Sequence, residues 1–182
     1  MAIHVLRLGH RSSRDKRVTT HLILAARALG ASSATYDGER DPSLEESVRD
    51  VVTDWGGSFS LEYTDSWRRS IAAWRDERGG KVVHLTMYGI PLQDVISSIR
   101  DDPSDKLVVV GGAKVPGEAY SLADWNVSVT QQPHSEVSAL AVFLHELLEG
   151  RELGRVFEGA RLRVLPQERE KRVEERSPES KI

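Results

Sequence analysis

A chain of 182 residues, 39% of them apolar, is long enough to bury a core and suits one domain with at most a short appendage. It holds no cysteine, which excludes a disulfide framework, a cysteine-ligated metal or cluster and a thiol nucleophile. The net charge of −3 argues, taken alone, against a polyanionic partner, and no apolar run approaches the roughly 20 residues of a membrane span.

The opening segment, MAIHVLRLGHR, turns charged too soon for a signal peptide, so a soluble cytoplasmic protein is expected. Short β-rich runs then appear at residues 3–8, 34–36, 59–63, 81–87, 106–110 and 126–130. Segments with helical spacing lie between and after them at 18–29, 44–55, 67–77, 92–100, 117–123 and 135–149. This alternation predicts an α/β fold, a mostly parallel sheet with helices on both faces. VVHL and LVVV are continuous apolar runs, as expected of central parallel strands buried on both sides. Gly30, the Gly56–Gly57 pair and the Gly79–Gly80 pair stand where helices should stop, and Asp41-Pro42 reads as a helix start. Residues 161–165 alternate as RLRVL and suit one arm of a hairpin with 154–157. The charged stretch from 167 to 182 has almost no apolar anchors and is expected to be frayed or disordered.

Three segments carry chemistry. Residues 7–17, RLGHRSSRDKR, set Arg7, Arg11, Arg14, Lys16 and Arg17 against the single acid Asp15, while acids gather at 37–50 and 168–179. Read as a turn before the first helix, this patch puts Thr19, Thr20 and His21 in the first helical turn, where free amides favour an anion such as RNA phosphate. An ordinary solvated loop is the competing reading. The second segment, LVVVGGAKVP, follows a central strand, and Gly111 and Gly112 let backbone approach a ligand. It is neither G-x-G-x-x-G nor a phosphate-cradling loop, so a dinucleotide or ATP site is disfavoured. The third is the polar loop Thr130-Gln131-Gln132-Pro133-His134, which precedes a strongly apolar helix capped by Ser135. His134 has no second histidine at ligand spacing, so no metal site is assigned. These features alone leave open an enzyme, a non-catalytic RNA-binding dimer and a flavodoxin-like or receiver-type protein.

Taken together, RLGHRSSRDKRVTTH, HLTMYG at 84–89, VVVGGAKVP at 108–116, ADWNVSVTQQPHSEVSALAVFL at 123–144 and RVFEGARLRVLP at 155–166 resemble the archaeal tRNA (cytidine-56) 2′-O-methyltransferases of the SPOUT class. The resemblance spans roughly residues 3–166. It implies one domain over 1–166, with a deep trefoil knot at about 81–149 and a hairpin-like segment at 150–166. It also implies a homodimer with the last knot helix in its interface, S-adenosylmethionine as cofactor, and tRNA as substrate, methylated on the ribose of a T-loop cytidine. Three loops are then expected to hold the cofactor. They are Leu85; Gly111, Gly112, Ala113, Lys114 and Val115; and Val129, Thr130, Gln131, Gln132, Pro133, His134, Ser135 and Glu136. Among the arginines, Arg17 first, then Arg14 and Arg11, are the candidates to stand at the reacting hydroxyl.

Overall fold

A computed structural model describes residues 1–112 and 114–176. Among the described residues, eight strands and six α-helices follow one another as β1 Ile3–His10, α1 Ser12–Ala28, β2 Ser33–Gly38, α2 Pro42–Trp55, β3 Ser60–Tyr63, α3 Trp67–Arg78, β4 Lys81–Pro91, α4 Leu92–Asp101, β5 Lys106–Gly111, α5 Glu118–Leu122, β6 Trp125–Ser128, α6 Glu136–Leu148, β7 Leu162–Val164 and β8 Val173–Glu175. The first six strands form one sheet in the order β3-β2-β1-β5-β4-β6, every pair parallel. No described helix is long and apolar enough to cross a membrane.

The apolar strand runs are explained by burial on two sides. Val5, Val108 and Val110 join the core formed with α1, α2, α4 and α6, while Leu6, Leu107 and Val109 alternate to the opposite core, under Trp67, Ile71 and Trp74 of α3. In α6, Leu140, Phe143, Leu144 and Leu147 are fully buried in the first of these cores. Each such side chain is worth about 1.5–3 kcal/mol of transfer free energy, so burial within one chain accounts for the apolarity of this helix.

The first helix begins six residues earlier than its periodicity suggests. RSSRDKR is not a turn: Arg11 is the N-cap, and Glu39, arriving from the end of β2, accepts from Ser12 N at 2.8 Å and Ser12 Oγ at 2.6 Å. The periodic signal is absent because these turns face solvent, and the cap is supplied from elsewhere in the chain. Thr19, Thr20 and His21 therefore lie well inside the helix, and Thr19 is buried against His10 through a 2.9 Å hydrogen bond.

The strand at 162–164 also pairs differently from expectation. Its antiparallel partner is Val173–Glu175, not 154–157. The charged stretch read as disordered thus carries β8 up to Glu175, and residues 177–182 lie outside the described residues. Long-range ties hold this C-terminal segment to α1 and α2. Glu158 O accepts from Gly57 N at 2.7 Å, Arg161 reaches Asp54 at 2.8 Å, and Phe157 lies 4.5 Å from the Arg27 guanidinium. A composition-based reading sees only the lack of apolar residues, whereas order here rests on hydrogen bonds and ion pairs.

Candidate active site

The chain passes from β1 outward through β2 and β3, then returns to the far side of β1, where β5, β4 and β6 are laid down. Loops beyond the carboxyl ends of strands on either side of such a reversal splay apart and leave a crevice. A cavity of about 490 Å³ opens there, at the ends of β4, β5 and β6.

Its walls come from the three expected loops. Leu85 lines it, as do Gly111, Gly112, Lys114 and Val115, and Val129, Pro133, His134, Ser135 and Glu136. Thr130, Gln131 and Gln132 are exposed and do not line it, although Gln132 O accepts from His134 Nδ1 at 2.7 Å and so shapes the loop. Ala113 lies outside the described residues.

β4 forms the lip by leaving the sheet and coming back. Leu85 and Ile90 both register against Val127 of β6, so residues 86–89 are an insertion between them, and Thr86, Met87 and Tyr88 line the opening. Gly89 closes the insertion against β6: a Cβ there would sit 2.5 Å from Asn126 O and Val127 N.

A polar cluster absent from the sequence reading stands in the wall. His84 Nδ1 donates to Asn126 Oδ1 at 2.9 Å, and the Asn126 amide is oriented by donating to Tyr120 O at 2.9 Å. The imidazole meets the Tyr120 ring edge-on at 4.7 Å, and Tyr120 Oη lies 2.8 Å from Thr86 Oγ1. Burial pulls the His84 pKa below its ordinary value, against the opposing effect of the Asn126 bond, so the ring is neutral near pH 7. Its Nε2 is buried without a hydrogen-bond partner among the described residues. The available signal was the alternation of His84 and Thr86 on one strand; Tyr120, about 35 residues on, gave none.

The arginine patch divides. Arg7, counted with it by sequence, is 1% exposed and lies behind the cavity, with Nη2 3.1 Å from Glu136 Oε1. Its place in β1 dictates this, since a central strand is covered on both faces. Arg11 is exposed but forks onto Asp15 through bonds of 2.7 and 3.1 Å. Arg14, Lys16 and Arg17 are exposed on the first turns of α1, and none of the three candidate arginines lines the cavity.

Comparison with known proteins gives the family of the chain. A family model described as tRNA ribose 2′-O-methyltransferase, aTrm56, matches residues 55–174. The tRNA (cytidine(56)-2′-O)-methyltransferase of Methanothermobacter thermautotrophicus is 58% identical over 175 residues, covering 96% of this chain and 97% of the relative. The chain belongs to the tRNA ribose 2′-O-methyltransferase family. The enzyme of the same name from Pyrococcus abyssi is 50% identical over 183 residues, covering 98% of this chain and 90% of its own.

Solved structures resemble this methyltransferase in fold. The TrmH/SpoU tRNA modifying enzyme of A. aeolicus superposes with a TM-score of 0.62 at 15% identity, covering 83% of this chain and 76% of that one. The SpoU methyltransferase AviRb from Streptomyces viridochromogenes, crystallised with its cofactor AdoMet, gives 0.64 at 19%, covering 85% and 59%. The family match also runs through residue 174, so the β7–β8 pairing of the methyltransferase falls within the family pattern rather than in an unrelated tail.

S-adenosylmethionine fits the residues present. The cavity has the volume of a small-molecule site. Leu85, Val110, Val127 and Val129 supply apolar wall, and Gly111 and Gly112 carry no side chain into the cavity. Glu136 supplies a carboxylate opposite a cofactor that carries positive charge.

Proposed function

We propose that this methyltransferase transfers the methyl group of S-adenosylmethionine to the ribose 2′-oxygen of cytidine 56 in the T-loop of tRNA, in the cytoplasm and as a homodimer. One observation supports this reading above the others: three loops distant in sequence converge on one cavity at the strand ends, inside a chain of this family. The cofactor supplies an electrophilic methyl on a sulfonium. The strand-end loops orient it for in-line attack.

The 2′-hydroxyl must shed its proton as the new bond forms. Arginine, with a pKa above about 12, is a poor base, so its part is to stabilise the developing alkoxide, with RNA phosphate as a further partner. Arg17 is the first candidate and Arg14 the second; Arg11 ranks below both because its fork is engaged by Asp15. Replacing Arg17 with alanine is expected to lower kcat about 100-fold while leaving S-adenosylmethionine affinity unchanged, as single-turnover rates and calorimetry would show. A near-normal rate removes Arg17 from this role.

A deep knot at 81–149 belongs to the same reading, supported by the likeness to SpoU-type folds and by β6 lying beside β4. In the dimer, α6 offers what its own core leaves exposed, with Val142 43% accessible. A monomer in sedimentation equilibrium would remove that part of the proposal. The decisive experiment incubates unmodified transcript tRNA with labelled S-adenosylmethionine and maps the modified nucleoside. The expected product is 2′-O-methylcytidine at position 56; methylation at a base or at another nucleotide overturns the assignment.

A further inference from the structure

Among the described residues lining the cavity, Glu136 is the only carboxylate. It sits at the start of α6, its side chain 25% exposed, and its Oε1 accepts from Arg7 Nη2 at 3.1 Å. Arg7 reaches it from beneath. The guanidinium is almost wholly buried at the carboxyl end of β1, where Arg7 registers against Val110 of β5. A Cβ on Gly112 would rest 3.6 Å from Arg7 Nη2 and 3.7 Å from Nη1, so the same guanidinium lies under the glycine loop. One cation thus ties to the loop before α6 through Glu136 and lies beneath the glycine loop.

Stability does not explain this arrangement. Arg7 Nε and Nη1 have no hydrogen-bond partner among the described residues, and a buried guanidinium with so few partners costs free energy that an apolar side chain would not. The contact does, however, hold a carboxylate group in one place, with Oε2 making no hydrogen bond among the described residues. That matters for the ligand of this site. S-adenosylmethionine carries a sulfonium, whereas the product, S-adenosylhomocysteine, has a neutral thioether in its place. A carboxylate fixed at the cavity wall, at a position in the lining distinct from that of the Lys114 charge, favours the first over the second.

We propose that Arg7 is a positioning residue that holds Glu136 as the anionic wall of the cavity, and that Glu136 makes the site prefer the sulfonium donor to its thioether product. The inference rests on the cavity being the S-adenosylmethionine site.

Calorimetric titration of the full-length protein with three ligands tests it: S-adenosylmethionine, S-adenosylhomocysteine, and an analogue bearing a protonated amine on the carbon that replaces sulfur. In Glu136→Gln, a substitution at a partly exposed position, the two cationic ligands should weaken about tenfold and the thioether less than about twofold. Arg7→Gln should shift the donor-to-product ratio in the same direction, Arg7→Lys should restore part of it, and the double variant should be no worse than Glu136→Gln, because the two act as one unit. An equal loss for all three ligands in Glu136→Gln overturns the charge-sensing role. Additive losses in the double variant overturn the brace. Failure of the wild-type protein to bind any of the three sinks the cofactor site itself, a distinct result.

Discussion

Replacing Gly89 with alanine is expected to weaken S-adenosylmethionine binding at least about tenfold and to lower the thermal midpoint by about 10 °C, while Gly117→Ala leaves both near wild type. The difference lies in what each new methyl group meets. At Gly117 nothing lies within 4 Å of the added atom. At Gly89 it would strike main-chain atoms of β6, Asn126 O and Val127 N at 2.5 Å and Asn126 C at 2.6 Å, and backbone in a paired strand cannot swing aside as a side chain can. The strands must part, at a cost of about 3 kcal/mol, in the range of severe overpacking. The functional loss follows from where they part. Residues 86–89 leave the sheet between two residues that share Val127 as partner, and Thr86, Met87 and Tyr88 on that excursion form the cavity lip. Calorimetry and a thermal melt on both variants decide the matter, and wild-type affinity in Gly89→Ala would show that the lip is not needed to hold the ligand.

A second large effect is expected on stability against pH, far from the cavity. His4 is gripped on both ring nitrogens, Nδ1 lying 2.6 Å from Ser33 Oγ and Nε2 2.8 Å from Thr35 Oγ1, with the Trp74 ring 5.5 Å away. Burial first, and the nearby Arg78 charge second, push its pKa down from 6.5 to about 4. The folded protein therefore keeps His4 neutral at pH values where the unfolded chain protonates it. Stability from this group is complete above pH 6.5, is lost as pH falls through the window down to about 4, and levels off below. The loss amounts to about 3 kcal/mol. Urea unfolding of wild type and His4→Gln between pH 7 and 4 measures it as a difference. That comparison matters because the buried His84, also held below its ordinary pKa, acts in the same direction in both proteins. Parallel stability curves for the two proteins would show that His4 is not the acid-sensitive group.

Local physics made much of the architecture readable from residues alone. LVVV, and VVHL apart from His84, could be read as central strands because a parallel strand covered on both faces is largely apolar throughout. Asp41-Pro42 and Ser135 could be read as helix starts because a cap is made by the residue itself, Asp41 accepting from Ser43 N and Leu44 N and Ser135 from Val137 N. That the glycine turn and the loop before α6 would open on a cavity was legible because strand ends in a parallel sheet are where loops open. What the tertiary structure alone decided depends on partners distant in the chain. Glu39 starts α1 at Ser12, Val173–Glu175 pairs with β7, and His84 meets Tyr120 and Asn126 in the cavity wall. Arg7, one of five cations in a basic stretch by sequence, became the buried partner of Glu136, 129 residues away. Periodicity and capping are properties of neighbouring residues and survive in a linear reading; burial of a charge and convergence of loops exist only once the sheet brings remote segments together.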